Sequence, residues 1–233
     1  VTAAFGLLGR LYGLQGGWSL LAFCSGVFVL VIIVMEFVKA VQARRQMTGE
    51  SAAASFFRLF QRNRRRYGGY IVHLAVVFIV AGYTGASAYE VNVQRMLEPG
   101  QSMQVGAYTL TFEGLTQTGD EYRTEVFADV VVAKDGEPVL VMRPEKVFYT
   151  LGGQPSTEVA IYHTWLGDLY LVLGGWDEEG GAAVFQAMIF PLINWVWFGM
   201  YVLMAGTLIA LWPERPRLGS PMKVRPTAQW SRP

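Results

Sequence analysis

The chain has 233 residues, of which 52% are hydrophobic and 16% are charged, and its mean hydropathy is +0.30. The apolar residues are concentrated in three long runs, which excludes a soluble single domain and favours a membrane protein with a substantial water-facing part. The formal net charge is only +1, and we expect no nucleic-acid partner.

Each of the three apolar runs, 18–41, 68–89 and 188–212, is long enough to cross a hydrocarbon core, which needs about 20 residues. The first run carries two charged residues, Glu36 and Lys39, in its last turns, and the other two runs carry none. The sequence therefore predicts three transmembrane helices, and membrane lipid as one partner.

The charged residues between these runs predict the orientation. Residues 42–67 carry seven arginines against one acid, Glu50, whereas residues 90–187 carry five basic residues against fifteen acids. Because Lys and Arg near the ends of spans stay cytoplasmic, we expect the basic loop to face the cytoplasm. In chain order we predict an external lead (1–17), a transmembrane helix (18–41), a cytoplasmic basic loop (42–67), a second transmembrane helix (68–89), an extracytoplasmic β-domain (90–187), a third transmembrane helix (188–212) and a cytoplasmic tail (213–233).

The start of the sequence has no Met, no basic region and no cleavage pattern typical of a signal peptide. A short lead runs directly into the first span. This pattern is typical of the middle of a larger polytopic protein, or of a processed or split product of one.

The segment 90–187 shows the patterns of antiparallel β-structure. Tyr108, Leu110 and Phe112 alternate with polar residues, which predicts a half-buried strand. Residues 121–150 predict two strands joined by a turn at Lys134–Glu137 with Asp-Gly at its centre. We expect a small antiparallel barrel or sandwich. Shorter strands are predicted at 91–97, 157–162 and 168–173.

Cysteine content excludes two redox functions. Cys24 is the single cysteine, and the chain has neither a CxxC nor a CxxCH motif. The chain is therefore neither a thiol–disulfide exchanger nor itself a c-type cytochrome. Cys24 is expected to be a small apolar packing residue.

His73 is the one histidine inside an apolar span. Polar residues in spans usually face the protein interior, and three roles are open: a hydrogen bond to a neighbouring helix, proton relay, or ligation of a metal centre such as haem. Gly68 and Gly69 leave room one turn away, and Tyr70 is expected on the same face. Arg64–Arg66 at the cytoplasmic edge satisfy the positive-inside rule and would also suit haem propionates.

The run "NRRRYGGYIVHLAVVFIVAGYTGASAY", followed by "LEPGQSMQVGAYTLTFEGL", resembles the C-terminal third of the CcmF-type haem lyase subunits of cytochrome c maturation. A later "DLY", Asp168 to Tyr170, also fits that pattern. The resemblance covers most of the chain from about Gln61 to Trp212.

The resemblance implies a cofactor and a reaction. The family joins haem, delivered by a haem chaperone, to the CxxCH cysteines of apocytochrome c on the outer side of the bacterial inner membrane. It holds a haem b in the bilayer between two histidines from different spans, and His73 matches the second of them. The other ligand and the tryptophan-rich haem-handling loop belong to the family's N-terminal portion, so this chain alone is not expected to catalyse the ligation. The resemblance names no catalytic residue here.

His163 lies beside Trp165 in the β-domain and is expected to be a surface or packing residue, and residues 165–170 do not form the tryptophan-rich loop. Two other functions remain open. The chain could be a non-catalytic membrane anchor that displays a β-domain, with His73 as a packing residue. It could also be a haem b electron-transfer subunit of another redox complex.

Overall fold

The computed structural model describes residues 16–177 and 181–213, together with Thr2. Within these residues the helices are α1 (Gly17–Thr48), α2 (Ala52–Arg62), α3 (Arg64–Ala88) and α4 (Ile193–Leu211). Helices α1, α3 and α4 are long and apolar enough to cross a membrane, which confirms the prediction of three spans. The predicted external lead and cytoplasmic tail lie almost wholly outside the described residues.

The basic segment 42–67 is mostly helical, which the charge pattern did not predict. Helix α1 continues to Thr48 and ends at Gly49, whose φ of 69° is readily adopted by glycine. The hydroxyl of Ser51 then caps α2 by accepting a hydrogen bond from the amide of Ala54 at 3.3 Å. Glu50 between the two helices binds Arg44 at 3.2 Å and also pairs with Arg58.

Helices α3 and α4 meet through glycines. A Cβ at Gly82 would lie 2.7 Å from the amide nitrogen of Val196, and a Cβ at Gly199 would lie 2.9 Å from the carbonyl oxygen of Ala75. Close approach of small residues is a common basis of helix association in membranes, where the surrounding lipid is as apolar as the side chains. The glycines therefore fix α3 against α4.

The extramembrane region is built from antiparallel strands in two sheets. The strands are β1 (Val91–Leu97), β2 (Ser102–Val105), β3 (Tyr108–Gly119), β4 (Arg123–Lys134), β5 (Glu137–Met142), β6 (Glu145–Tyr149), β7 (Ser156–Glu158), β8 (Ala160–Thr164), β9 (Gly167–Trp176) and β10 (Ala183–Pro191). One sheet has the order β1-β10-β9-β8, and the other has the order β2-β3-β4-β6-β7, with β5 paired to one end of β4.

The core of this sandwich lies between the sheets. Tyr108, Leu110 and Phe112 of β3 are buried, which confirms the predicted alternation. The ring of Phe112 packs against that of Phe185 from the other sheet, with centroids 5.0 Å apart. The β4–β5 turn has Asp135 and Gly136 at φ 53° and 87°, as the primed hairpin turn predicted for Asp-Gly requires.

Two strand predictions need correction. The predicted strand after that turn is broken into β5 and β6 at buried Pro144, which has no N–H to donate to a ladder. Strand β10 continues to Pro191, past the predicted start of the last span at residue 188, and Leu192 at φ 61° turns the chain into α4. An uncharged run does not by itself distinguish a buried strand from a helix.

Candidate functional site

His73 lies one third of the way along α3 and is exposed on the helix surface. Its Nδ1 lies 2.8 Å from the carbonyl oxygen of Gly69, one turn earlier. Because a carbonyl oxygen only accepts, Nδ1 is the donor in this contact, and in the neutral imidazole the lone pair is then on Nε2. Metal-ligating histidines are commonly held in this way, with one ring nitrogen bonded to a backbone carbonyl.

The face of α3 that carries His73 is a third face, separate from the two that contact other helices. One face meets α4 through its glycines, and another meets α1, where the ring of Phe37 lies 5.4 Å from that of Tyr67. The remaining face carries residues spaced at three and four positions, and they are exposed. These residues are His73, Val76, Val80 and Tyr83.

The two glycines before His73 have different roles. A Cβ at Gly68 would lie 2.7 Å from the amide nitrogen of Ala210 in α4, so its space is filled. A Cβ at Gly69 would meet nothing within 4 Å. Of the two glycines, only Gly69 therefore leaves open space on the helix surface before His73.

Tyr70 turns away from His73, contrary to the expected shared face. Its hydroxyl lies 3.0 Å from Arg66 Nε and donates to Glu36 Oε2 of α1 at 3.3 Å. Arg66 also pairs with Glu36 at 2.7 Å. Of the three arginines at this edge, Arg66 is thus committed to the contact between α1 and α3.

A second polar cluster joins the β-domain to α4. Asp168, at the start of β9, is only 2% exposed. Its Oδ2 lies 2.8 Å from Nδ1 of His163, and its Oδ1 accepts from Asn194 Nδ2 at 2.6 Å and from the Thr164 amide at 3.3 Å. Asn194 also donates to the Thr164 carbonyl at 2.6 Å. The buried carboxylate is therefore held by both β8 and α4.

His163 of β8 has 66% of its side chain exposed, in keeping with a surface residue, but its ring is hydrogen-bonded to the buried Asp168. The sequence analysis identifies Asp168 only as part of "DLY". An acid at an inward position of a strand was nevertheless a signal for a buried carboxylate that needs hydrogen-bond partners. Asn194, a polar residue at the start of an apolar run, was a second signal. The pKa of Tyr170 in this strand is raised, first by burial and then by the charge of Asp168.

An open cleft of about 340 Å³ lies beside this cluster. Its walls are mainly aromatic, and it faces the junction of the β8–β9 turn with the first turns of α4. The residues that line it are His163, Thr164, Trp165, Asn194, Trp197, Phe198 and Tyr201. Among residues 16–177 and 181–213, no three His, Cys, Asp or Glu side chains are grouped as a metal site.

Comparison with known proteins gives a consistent result. Residues 88–191 match the model of the CcmF C-terminal beta-sandwich, and this range contains all of β1 to β10. The cytochrome c-type biogenesis protein CycK of Rhizobium meliloti is 28% identical over 227 residues, covering 96% of this chain and 33% of that protein. The cytochrome c-type biogenesis protein CcmF of Escherichia coli is 31% identical over 164 residues, covering 70% of this chain and 25% of that protein.

A solved structure titled cytochrome c heme lyase CcmF has the same fold, with a TM-score of 0.67 and 24% sequence identity. The match covers 91% of this chain and 34% of that one. The matched part of the chain thus spans between a quarter and about a third of the length of these relatives.

Proposed function

Since the chain corresponds to the C-terminal portion of a CcmF-type cytochrome c biogenesis protein, we propose that it forms part of a membrane haem lyase and supplies one axial ligand, His73, to an intramembrane haem b. The second ligand would come from a span outside this chain. The observation that carries the proposal is the position of His73 on the open face of α3, with Nδ1 bonded to Gly69 and Nε2 available.

The residues around His73 would serve three purposes. The Gly69 carbonyl fixes the tautomer, which makes Nε2 the ligating atom. Gly69 leaves space for the edge of the macrocycle. Helices α1 and α4 hold α3 on its other faces, so the imidazole projects from a supported helix. When bound, the haem would supply one-electron chemistry, with its potential set by ligand type and burial.

The partners follow from this role. Covalent attachment of haem to the CxxCH of apocytochrome c would require the N-terminal haem lyase portion, other maturation subunits and haem delivered by a haem chaperone. This chain would close one side of the haem b pocket and present the β-domain to partners.

The orientation of the protein is part of the same proposal. The arginines of residues 42–67 would lie on the cytoplasmic side of the inner membrane, and the acidic β-domain would lie on the periplasmic side. Protease added from the periplasmic side should cut within 90–187 and leave 42–67 protected. Cleavage within 42–67 instead would show that the orientation is the reverse of the one proposed.

His73→Ala tests the haem b proposal in the assembled maturation complex. The variant should still insert but should lose the low-spin haem b spectrum, and holocytochrome c should not form. Added imidazole should restore part of the spectrum, because it can fill the vacated coordination position. Val76→Ala, on the same open face, is the matched control and should retain the spectrum.

An unchanged haem spectrum with full maturation in His73→Ala would contradict the proposal and leave the histidine as a packing residue. Loss of haem b with normal holocytochrome c would instead favour an electron-transfer subunit of another redox complex. These two results separate the ligand assignment from the assignment to cytochrome c maturation.

A further inference from the structure

The turn between β8 and β9 carries two large apolar side chains in succession, Trp165 and Leu166, which are 81% and 75% exposed. We propose that this turn is immersed in the membrane, where both side chains contact the phospholipids of the leaflet that faces the β-domain. This surface belongs to the β-domain, which is otherwise the water-facing part of the chain. It is separate from His73 and needs no haem.

Helix α4 shows where the lipid begins. Its 19 residues, Ile193–Leu211, span about 28 Å at 1.5 Å per residue, which is close to the thickness of a hydrocarbon core. Trp195 and Trp197 lie in its first turns, and Trp212 follows its last residue. Tryptophan is enriched at both faces of a membrane. The start of α4 therefore lies at the boundary between hydrocarbon and headgroups.

The β8–β9 turn lies level with the start of α4. The carbonyl of Leu166 accepts a 2.9 Å hydrogen bond from the amide of Leu192, the residue directly before the helix. Both apolar side chains of the turn line a cleft together with Trp195 and Phe198 of α4 and Phe78 of α3. These three rings belong to helices that are long and apolar enough to cross a membrane, so the turn borders lipid.

The polar groups of the turn are bonded inside the protein, as a position in lipid requires. Asn194 Nδ2 donates to the Thr164 carbonyl at 2.6 Å, and the Thr164 amide donates to Asp168 at 3.3 Å. The Thr164 hydroxyl accepts from the Gly167 amide at 3.2 Å and donates to the Gly167 carbonyl. An unpaired backbone group is strongly unfavourable away from water, and these hydrogen bonds remove much of that cost.

A second turn at the same end of the β-domain has the opposite character. Residues 134–137, between β4 and β5, are Lys, Asp, Gly and Glu, and all four are exposed. Lys134 pairs with Tyr108, and a Cβ at the nearby Gly106 would lie 2.9 Å from Cδ1 of Ile189, close to the end of β10. This turn therefore also lies on the membrane side, but its charges suit water and headgroups. The apolar surface is a property of the β8–β9 turn alone among these two.

The test is a measurement of spin-label accessibility in vesicles of phosphatidylethanolamine and phosphatidylglycerol. The full chain carries Cys24→Ala, so that a nitroxide can be attached at Leu166→Cys alone. Collisions of the label with oxygen, which concentrates in lipid, are compared with its collisions with a nickel chelate, which stays in water. We expect the ratio of oxygen to chelate accessibility to exceed one at position 166.

Leu151→Cys is the matched control, because Leu151 is also a leucine in a loop and is 89% exposed. It lies at the far end of the sandwich, beside the pairing of Tyr149 with Arg123, where β4 begins. The ratio should fall below one there. Glu137→Cys, in the charged turn, should also give a ratio below one although that turn lies on the membrane side.

Tryptophan fluorescence provides a measurement without a label. Trp165→Phe retains an apolar ring, and it should lose emission that is quenched by lipids brominated near the glycerol end of their acyl chains. The emission quenched by aqueous iodide should stay unchanged. Trp176→Phe is the control, because Trp176 ends β9 on the side away from α4, and it should leave the lipid-quenched emission unchanged. Far-UV circular dichroism verifies the fold of each variant.

A ratio below one at position 166, or unchanged lipid-quenched emission in Trp165→Phe, would overturn the proposal by placing the turn in water. Low accessibility to both reagents would also overturn it, because a protein segment would then cover the turn. The same holds if the label becomes inaccessible to both reagents only in the assembled maturation complex. None of these results bears on His73, whose test is the haem spectrum.

Discussion

The β-domain and the membrane helices are packed in opposite ways. Between the two sheets the contacts are made by large side chains, and Phe112, Phe185, Leu110 and Leu171 are fully buried. Between α3 and α4 the buried positions are mainly small residues, among them Gly82 and Gly199.

The difference follows from the two solvents. In water, burial of apolar area drives folding, so large side chains contribute most. In lipid, the outside is as apolar as the inside, and association depends on close packing and hydrogen bonds. Large-to-small changes should therefore destabilise the β-domain, and small-to-large changes should destabilise the helix pair.

The largest effect is expected from Phe185→Ala. The truncation leaves a cavity beside Phe112 and should lower the free energy of unfolding of the β-domain by about 3–5 kcal/mol. Urea unfolding of the protein in detergent, followed by circular dichroism at β-sheet wavelengths, measures it. Phe148→Ala is the control, since Phe148 is already 36% exposed. Equal losses in the two variants would contradict the assignment of the core.

A smaller effect is expected from Gly199→Val in the helix pair. A Cβ at this position would lie 2.7 Å from Ile79 Cγ1 of α3 and 2.9 Å from the Ala75 carbonyl oxygen. Overpacking of this kind costs about 1–3 kcal/mol of stability. Thermal unfolding of the helical signal measures the loss. Gly69→Val carries the same propensity change, but a Cβ at that position meets nothing within 4 Å, so the difference between the two variants measures the contact with α4. No difference would mean that α3 and α4 are not in close contact there.

The smallest effect is expected from Asn194→Ala, which acts at the border of the two regions. The change removes the 2.6 Å hydrogen bonds from Asn194 to Asp168 and to the Thr164 carbonyl. It should lower the free energy of unfolding by about 1.5 kcal/mol, because hydrogen bonds to charged groups are among the stronger ones. Faster amide hydrogen exchange at Thr164–Gly167 should accompany it. In the control, Asn92→Ala, the lost bond from Gln186 is exposed. If exchange at the turn stays unchanged, Asn194 does not tie the β-domain to α4.

The sequence predicted much of the fold wherever the signal was local. Period-2 alternation located β3, Asp-Gly located the β4–β5 turn, and three apolar runs gave three helices. The break at Pro144 could have been predicted from its missing N–H. Helix α2 was missed because the positive-inside rule describes location and not conformation.

The candidate sites were harder to predict from the sequence than the fold was. His73 was identified as a lone polar residue in an apolar run and by its resemblance to a known motif, and its role as a haem ligand stays a prediction. The cluster of His163, Asp168 and Asn194 was not predicted, because its members come from two strands and a helix. Their spacing in the chain carries no sign that their side chains meet.

By itself the sequence determined which segments suit lipid and which suit water, because hydropathy and charge are summed over neighbouring residues. It also determined strand periodicity, which depends only on the alternation of side chains along an extended backbone. Only the tertiary structure decided that Gly68 packs on α4 while Gly69 stays open beside His73. Adjacent helical residues point about 100° apart at 3.6 residues per turn, so which of them is covered depends on where another helix lies. The same holds for Asp168, whose burial and partners are fixed by the docking of α4 against β8 and β9.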